Sequence, residues 1–134
     1  MEYHNDRFED FSLMVYKNGK LIALLPANKK DNIVYSHQGL SYGGVVYMKD
    51  VKFKDSLEAF ESILKYFKKS GYQKLYLNPI PQFYNSKLSD EFSYFLFILE
   101  AKLRRRDTLS VIRYSDGHSL SKSRKEGVSR VRSR

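Results

Sequence analysis

Residues 35–44 read YSHQGLSYGG and constrain everything on either side of them. They hold a histidine, a glutamine, two tyrosines and three glycines, with no lysine or carboxylate among them. Glycine has no Cβ, so a chain this rich in it can take positive φ or approach another group closely. The expected role is a loop at a sheet edge that faces a substrate, with much of the remaining chain as its scaffold.

Upstream, residues 11–17 and 20–27 are apolar runs joined by Asn18-Gly19, the pair that suits a two-residue turn with both φ angles positive. A β-hairpin is predicted, with Pro26 at a strand end. The acidic lead-in over residues 1–10 is expected to hold no strand, and residues 28–32 a polar loop. Residues 33–36 form a short strand entering the glycine stretch, and a strand resumes at 45–47.

Downstream, residues 55–70 predict a helix. Asp55 is its expected cap with Glu58 as capping-box partner, and Leu57, Phe60, Leu64 and Phe67 share one face. Lys65, Lys68 and Lys69 suit its C-terminal end, and Gly71 stops it. Residues 73–78 read as a strand halted by Pro79-Ile80-Pro81. Ser89 is the expected cap of a second helix with Asp90 and Glu91 in its first turn. Its body, residues 92–99, is apolar except for Ser93. A helix apolar nearly all round is buried on more than one side. A second copy of the chain, or another part of a larger protein, is expected to cover it. Residues 103–114 read as a strand opening on Arg104, Arg105 and Arg106, followed by a turn at 115–119. Residues 120–134 are basic and serine-rich, with Gly127 interrupting weak helical character. Hairpin, strand, helix, strand, helix, strand gives an α/β (α+β) domain: a mixed sheet with an opening β-hairpin and two main helices. The domain is assigned to residues 1–114 and a basic connector or tail to 115–134.

Composition removes several chemistries. A chain of 134 residues suits one domain. Absence of cysteine removes disulfides, thiolate nucleophiles and zinc–thiolate sites, and fits a reducing cytoplasm. His4, His37 and His118 have no metal-ligand spacing, so no metal site is predicted. No apolar run is long enough to span a bilayer, and the polar, acidic opening predicts no signal peptide. The net charge of +9 is uneven: from Arg104 onward ten Lys/Arg face Asp107, Asp116 and Glu126. Lys122, Arg124 and Lys125 are the candidate phosphate contacts there. No aromatic residue interleaves the cations after Tyr114, and no helix-turn-helix or RRM signature is present, so sequence-specific nucleic-acid binding is not signalled.

Within the glycine stretch, His37, Gln38, Tyr42, Gly43 and Gly44 are the candidate substrate-binding residues. His37 and Gln38 can hydrogen-bond a substrate or orient a carbonyl, and Tyr42 beside two glycines can clamp a ligand. Gly39 to Gly43 also fits the G-x-S-x-G pattern around Ser41, with Asp90 and His118 following in order. That chemistry needs a helix after the turn, whereas Val45, Val46 and Tyr47 read as strand. No catalytic residue is assigned.

Taken in order, DRFEDFSLMVYKNGKLIALLPAN, YSHQGLSYGG, LYLNPIPQFY, RRRDTLSVI and SLSKSRKEGV resemble the first half of a bacterial FemAB-like N-acyltransferase of the GNAT superfamily. The resemblance runs from about Tyr3 to Val128 and rests on the succession of segments. It implies acyl transfer from acyl-CoA, or from aminoacyl-tRNA, to an amine of a sugar or peptide precursor, with two tandem acyltransferase-like halves. It implies further that the chain starts and stops inside the family's length, so the fragment alone is expected to be inactive and to bind no acyl-CoA tightly. The family's Q/R-x-x-G-x-G/A loop opens a helix whose N-terminal donors hold the pyrophosphate. Here Gln38, Gly39, Gly43 and Gly44 have other spacings. The competing class is a small non-catalytic basic module that contacts nucleic acid or acidic partners.

Overall fold

The computed structural model describes residues 7–87, 89–111 and 121–132. His4, the turn expected at 115–119 and His118 lie outside them. The chain divides into one compact unit up to Ala101 and another from Lys102 onward.

The first unit is mixed α+β and holds two sheets rather than one. β1 (Glu9–Asp10) is the first strand, in the lead-in expected to lack one. β2 (Leu13–Lys17) and β3 (Lys20–Leu25) form the expected hairpin, with Asn18 at φ 50° and Gly19 at φ 76°. Alternation fixes its faces: Leu13 and Val15 pack on the core, whereas Met14 and Tyr16 are exposed. β6 (Val46–Tyr47) adds to the other side of β3, giving an antiparallel sheet in the order β2-β3-β6.

The second sheet has the order β1-β4-β5-β7, with β4 at Asn28–Lys30, β5 at Ile33–Tyr35 and β7 at Lys74–Tyr76. β4 corrects the polar loop expected over 28–32. Asp31, at φ 55°, turns the chain back so that Lys30 pairs with Ile33 and Asn28 with Tyr35. Hydrogen bonding makes this polar strand tenable, because the buried Asn28 has both amide atoms engaged. β5 and β7 run parallel, with β6 and α1 (Phe53–Lys69) in the connection between them.

α1 buries Ser56, Ala59, Phe60, Ile63 and Phe67, a stripe at helical spacing. Leu25, Ala27, Val34, Ile63 and Phe67 form the core, with the Phe11 ring stacked 5.8 Å from that of Phe67. Burying Phe67 contributes about 1.5–3 kcal/mol. The expected capping box is not formed. The cap position falls at Lys52 with no side-chain bond. Asp55 and Glu58 instead accept from Lys17 Nζ, at 2.7 and 2.6 Å. They tie the hairpin end to the start of α1, and Lys17 holds the Asp55 carboxyl below its ordinary range.

α2 (Glu91–Ile98) packs through Phe95 and Phe92 against Phe60, with ring centroids 6.2 and 5.2 Å away. Ser89 does not cap it. The cap position is Asp90, whose carboxylate accepts from Gln82 Nε2 rather than from the helix. Of this helix only Phe95 is fully buried, and Phe97 is 77% exposed.

From Lys102 onward the strand expected over 103–114 is not formed across its described residues. Residues 103–111 are irregular and exposed. A strand needs a neighbour for its backbone groups, and none pairs with this segment among the described residues. α3 (Lys122–Arg132) then runs through Gly127 as one helix. No described helix is long and apolar enough to cross a membrane.

Candidate functional site

In open sheets, ligands collect outside the carboxyl ends of parallel strands, where two chain segments leave side by side. The parallel pair β5 and β7 creates one such place. Beyond Tyr35 the chain enters the glycine stretch, and beyond Tyr76 it enters Leu77, Asn78 and the Pro79-Ile80-Pro81 segment. The two stay tied as they leave. Ser36 N–H donates to Tyr76 O (2.8 Å), Asn78 N–H to Ser36 Oγ (2.8 Å), and Gly43 N–H to Asn78 O (2.7 Å). Gly43 then bridges Pro79 in parallel register.

Two glycines are required by this closure. A Cβ on Gly43 would lie 2.1 Å from Ser36 O, so the loop folds back on its own entry strand too closely for any side chain. Gly44 sits at φ 89°, with its Cβ direction 3.4 Å from Pro79 Cα and 3.9 Å from Phe92 Cε1. Phe92 brings the start of α2 against the loop.

His37 points into the structure, whereas Gln38 is exposed and held by its hydrogen bonds. His37 is buried at φ 59°, its ring edge-on to Phe8 at 5.8 Å. Its Nδ1 accepts from Gly39 N–H at 3.2 Å, which puts the proton of the neutral ring on Nε2. Gln38 is clasped by Asn28: its N–H donates to Asn28 Oδ1 (2.7 Å) and its Oε1 accepts from Asn28 Nδ2 (3.0 Å). These residues shape the loop. Its outward surface is Gln38, Leu40, Ser41 and part of Tyr42, with Tyr84 of the 3-10 turn Gln82–Tyr84 at 6.2 Å from the Tyr42 ring. Asn78 Nδ2 donates to Ser41 O and fixes the height of the loop. Gln38 and Asn28 also line a cavity of about 410 Å³ with Arg7, Phe8, Lys29 and Asp31.

Sequence reasoning missed Tyr47 and Glu91. Tyr47 pairs across the ladder with the buried Ala23. Its hydroxyl and Glu91 Oε2 are buried without a hydrogen-bond partner among the described residues. Burial, and then the charge of Glu91, raise the Tyr47 phenol above its ordinary range, so it keeps its proton at any physiological pH. A tyrosine three residues past Gly44 and a glutamate at the start of a helix carry no motif. Only the fold relates them.

The glycine loop does not fit an acyl-CoA pyrophosphate. The N–H groups of Gln38, Gly39, Leu40 and Gly43 all bond within the protein, and β6 follows the loop where a helix N-terminus is needed. No serine-hydrolase site is assembled among the described residues: Ser41 leads into strand and Asp90 is engaged by Gln82. No cluster of possible metal ligands occurs among them. Lys122, Arg124 and Lys125 are exposed on α3. Set against protein-family models, curated proteins and solved structures, the chain matches none.

Proposed function

We propose that this chain is an N-acyltransferase-like (GNAT/FemAB-type) domain that supplies the acceptor side of acyl transfer to an amine of a sugar or peptide precursor. The donor class is acyl-CoA or aminoacyl-tRNA. The observation that carries this is the convergence of the glycine loop and the Pro79–Pro81 segment at the carboxyl ends of β5 and β7, with Tyr42 and Tyr84 beside each other there. In such a transfer the amine lone pair attacks the acyl carbonyl, and the new C–N bond forms as the thioester or ester bond breaks. The proton lost by the amine balances the one taken up by the departing thiolate or alkoxide, which leaves as the free thiol or alcohol. What this chain contributes is binding and orientation. Tyr42 and Tyr84 offer aromatic faces to a sugar ring or an apolar side chain, and Ser41 offers a hydroxyl beside them. Restricting the acceptor before reaction is itself a large part of the catalytic effect.

The bonded N–H groups of Gln38, Gly39, Leu40 and Gly43 favour assigning the donor's phosphates elsewhere. Titration calorimetry of the whole chain tests the division of roles. Saturable binding of a glucosamine oligosaccharide or a lysine-containing peptide, weakened about tenfold or more by Tyr84→Ala, is expected, with no heat from acetyl-CoA. Tight acetyl-CoA binding, or no acceptor binding at all, contradicts the proposal.

A further inference from the structure

Charge in this protein is sorted along the chain. From Lys102 onward there are eleven lysines and arginines against three carboxylates, which leaves +8 of the total +9 in the last quarter of the sequence. Much of it sits on α3, an eleven-residue helix, KSRKEGVSRVR, with Glu126 as its single acid. Lys122 and Lys125 share one side with Ser129 at i, i+3 and i+7 spacing, and Arg124 and Arg130 flank them. Lys122, Arg124 and Lys125 are exposed and make no ion pair among the described residues.

A helix of this length, polar on most sides, interrupted by glycine and with cations in its first turn, is weakly stable alone. Binding a polyanion would offset the repulsion among its cations. The helix has no aromatic residue, and its apolar side chains are Val128 and Val131 alone. A membrane-surface helix needs a broad apolar face with large side chains to enter the headgroup layer. Stacking on unpaired bases needs aromatic rings, and α3 has none. Against lipid surfaces and unpaired bases, closely spaced phosphates in water are the surface that a cationic helix without aromatic residues complements best.

We propose that α3 docks on the phosphate backbone of double-stranded nucleic acid, without reading its sequence. This does not depend on the acyl-transfer proposal. About four phosphates neutralised by the helix give a salt slope near −3.6, so affinity falls about 150-fold between 50 and 200 mM salt.

The test uses the full chain, two fluorescein-labelled 20-base-pair DNA duplexes of unrelated sequence, and anionic vesicles of 3:1 phosphatidylcholine to phosphatidylserine. Duplex binding with that steep slope, insensitive to sequence and tighter than vesicle binding, is expected. The triple substitution Lys122→Gln, Arg124→Gln, Lys125→Gln keeps helix propensity and is expected to remove about three-quarters of the slope. Absence of duplex binding at 50 mM salt, a slope unchanged by the triple substitution, or tighter binding to vesicles each overturns the proposal.

Discussion

The two helices of the first unit use similar residues in opposite ways. α1 is polar on average, yet it buries five residues in a continuous stripe and anchors the core. α2 is far more apolar, yet it fully buries Phe95 alone and leaves Phe97, Ile98 and Leu99 exposed. Burial here follows the arrangement of apolar residues, not their number. A stripe that matches the 3.6-residue turn seats a helix on one neighbour, whereas a helix apolar on every side is only partly satisfied by a single neighbour.

The contrast can be broken most forcefully at the aromatic contact between the helices. Phe60→Ala and Phe95→Ala are each expected to destabilise the protein by about 3–5 kcal/mol in chemical denaturation. A much smaller loss at Phe95 would mean that α2 is not seated on α1. The next largest effect is expected at the loop. Gly43→Ala forces a Cβ against Ser36 O, at the upper end of the ~1–3 kcal/mol typical of overpacking, with the same measurement as the check.

Phe97→Ser sharpens the comparison, since it lies two residues from Phe95 and is exposed. A change within about 0.5 kcal/mol is expected. If two copies meet through α2, sedimentation will show wild-type association that this substitution abolishes. A loss as large as at Phe95 would place Phe97 in an interior.

The smallest effect is electrostatic and concerns how α1 begins. The Asp55 carboxyl is held below its ordinary value by Lys17. Its contribution is therefore present above the unfolded-state value near 3.8 and is lost as pH falls through the lower folded-state value. Thermal midpoints measured from pH 5 down to pH 2 should fall less steeply in Asp55→Asn than in the wild type. Identical slopes would show that the pair does not link hairpin to helix.

How far the sequence revealed this follows from the range of each signal. The hairpin was legible because Asn18-Gly19 is a local turn signal, and α1 because its stripe is periodic. β4 was not, since NKK looks like a loop until Asn28 is seen bonded to Gln38, ten residues away. Asp55 looked like a cap because its competitor, Lys17, is 38 residues distant. The expected strand after Arg104 had a suitable pattern but no paired neighbour among the described residues. For the site, the glycine stretch was visible at once. What holds its residues was not: the burial of His37 and the bonds between Gln38 and Asn28 depend on chain that only folding brings there, and only the fold relates Tyr47 to Glu91.

The most direct test of the acceptor site is an amide-resolved NMR titration of the chain with a glucosamine oligosaccharide. Saturable shifts concentrated at Gly39, Leu40, Ser41, Tyr42 and Tyr84, with β2 and β3 undisturbed, are the predicted result. Saturable shifts centred elsewhere, or none at millimolar ligand, would contradict an acceptor site at the carboxyl ends of β5 and β7.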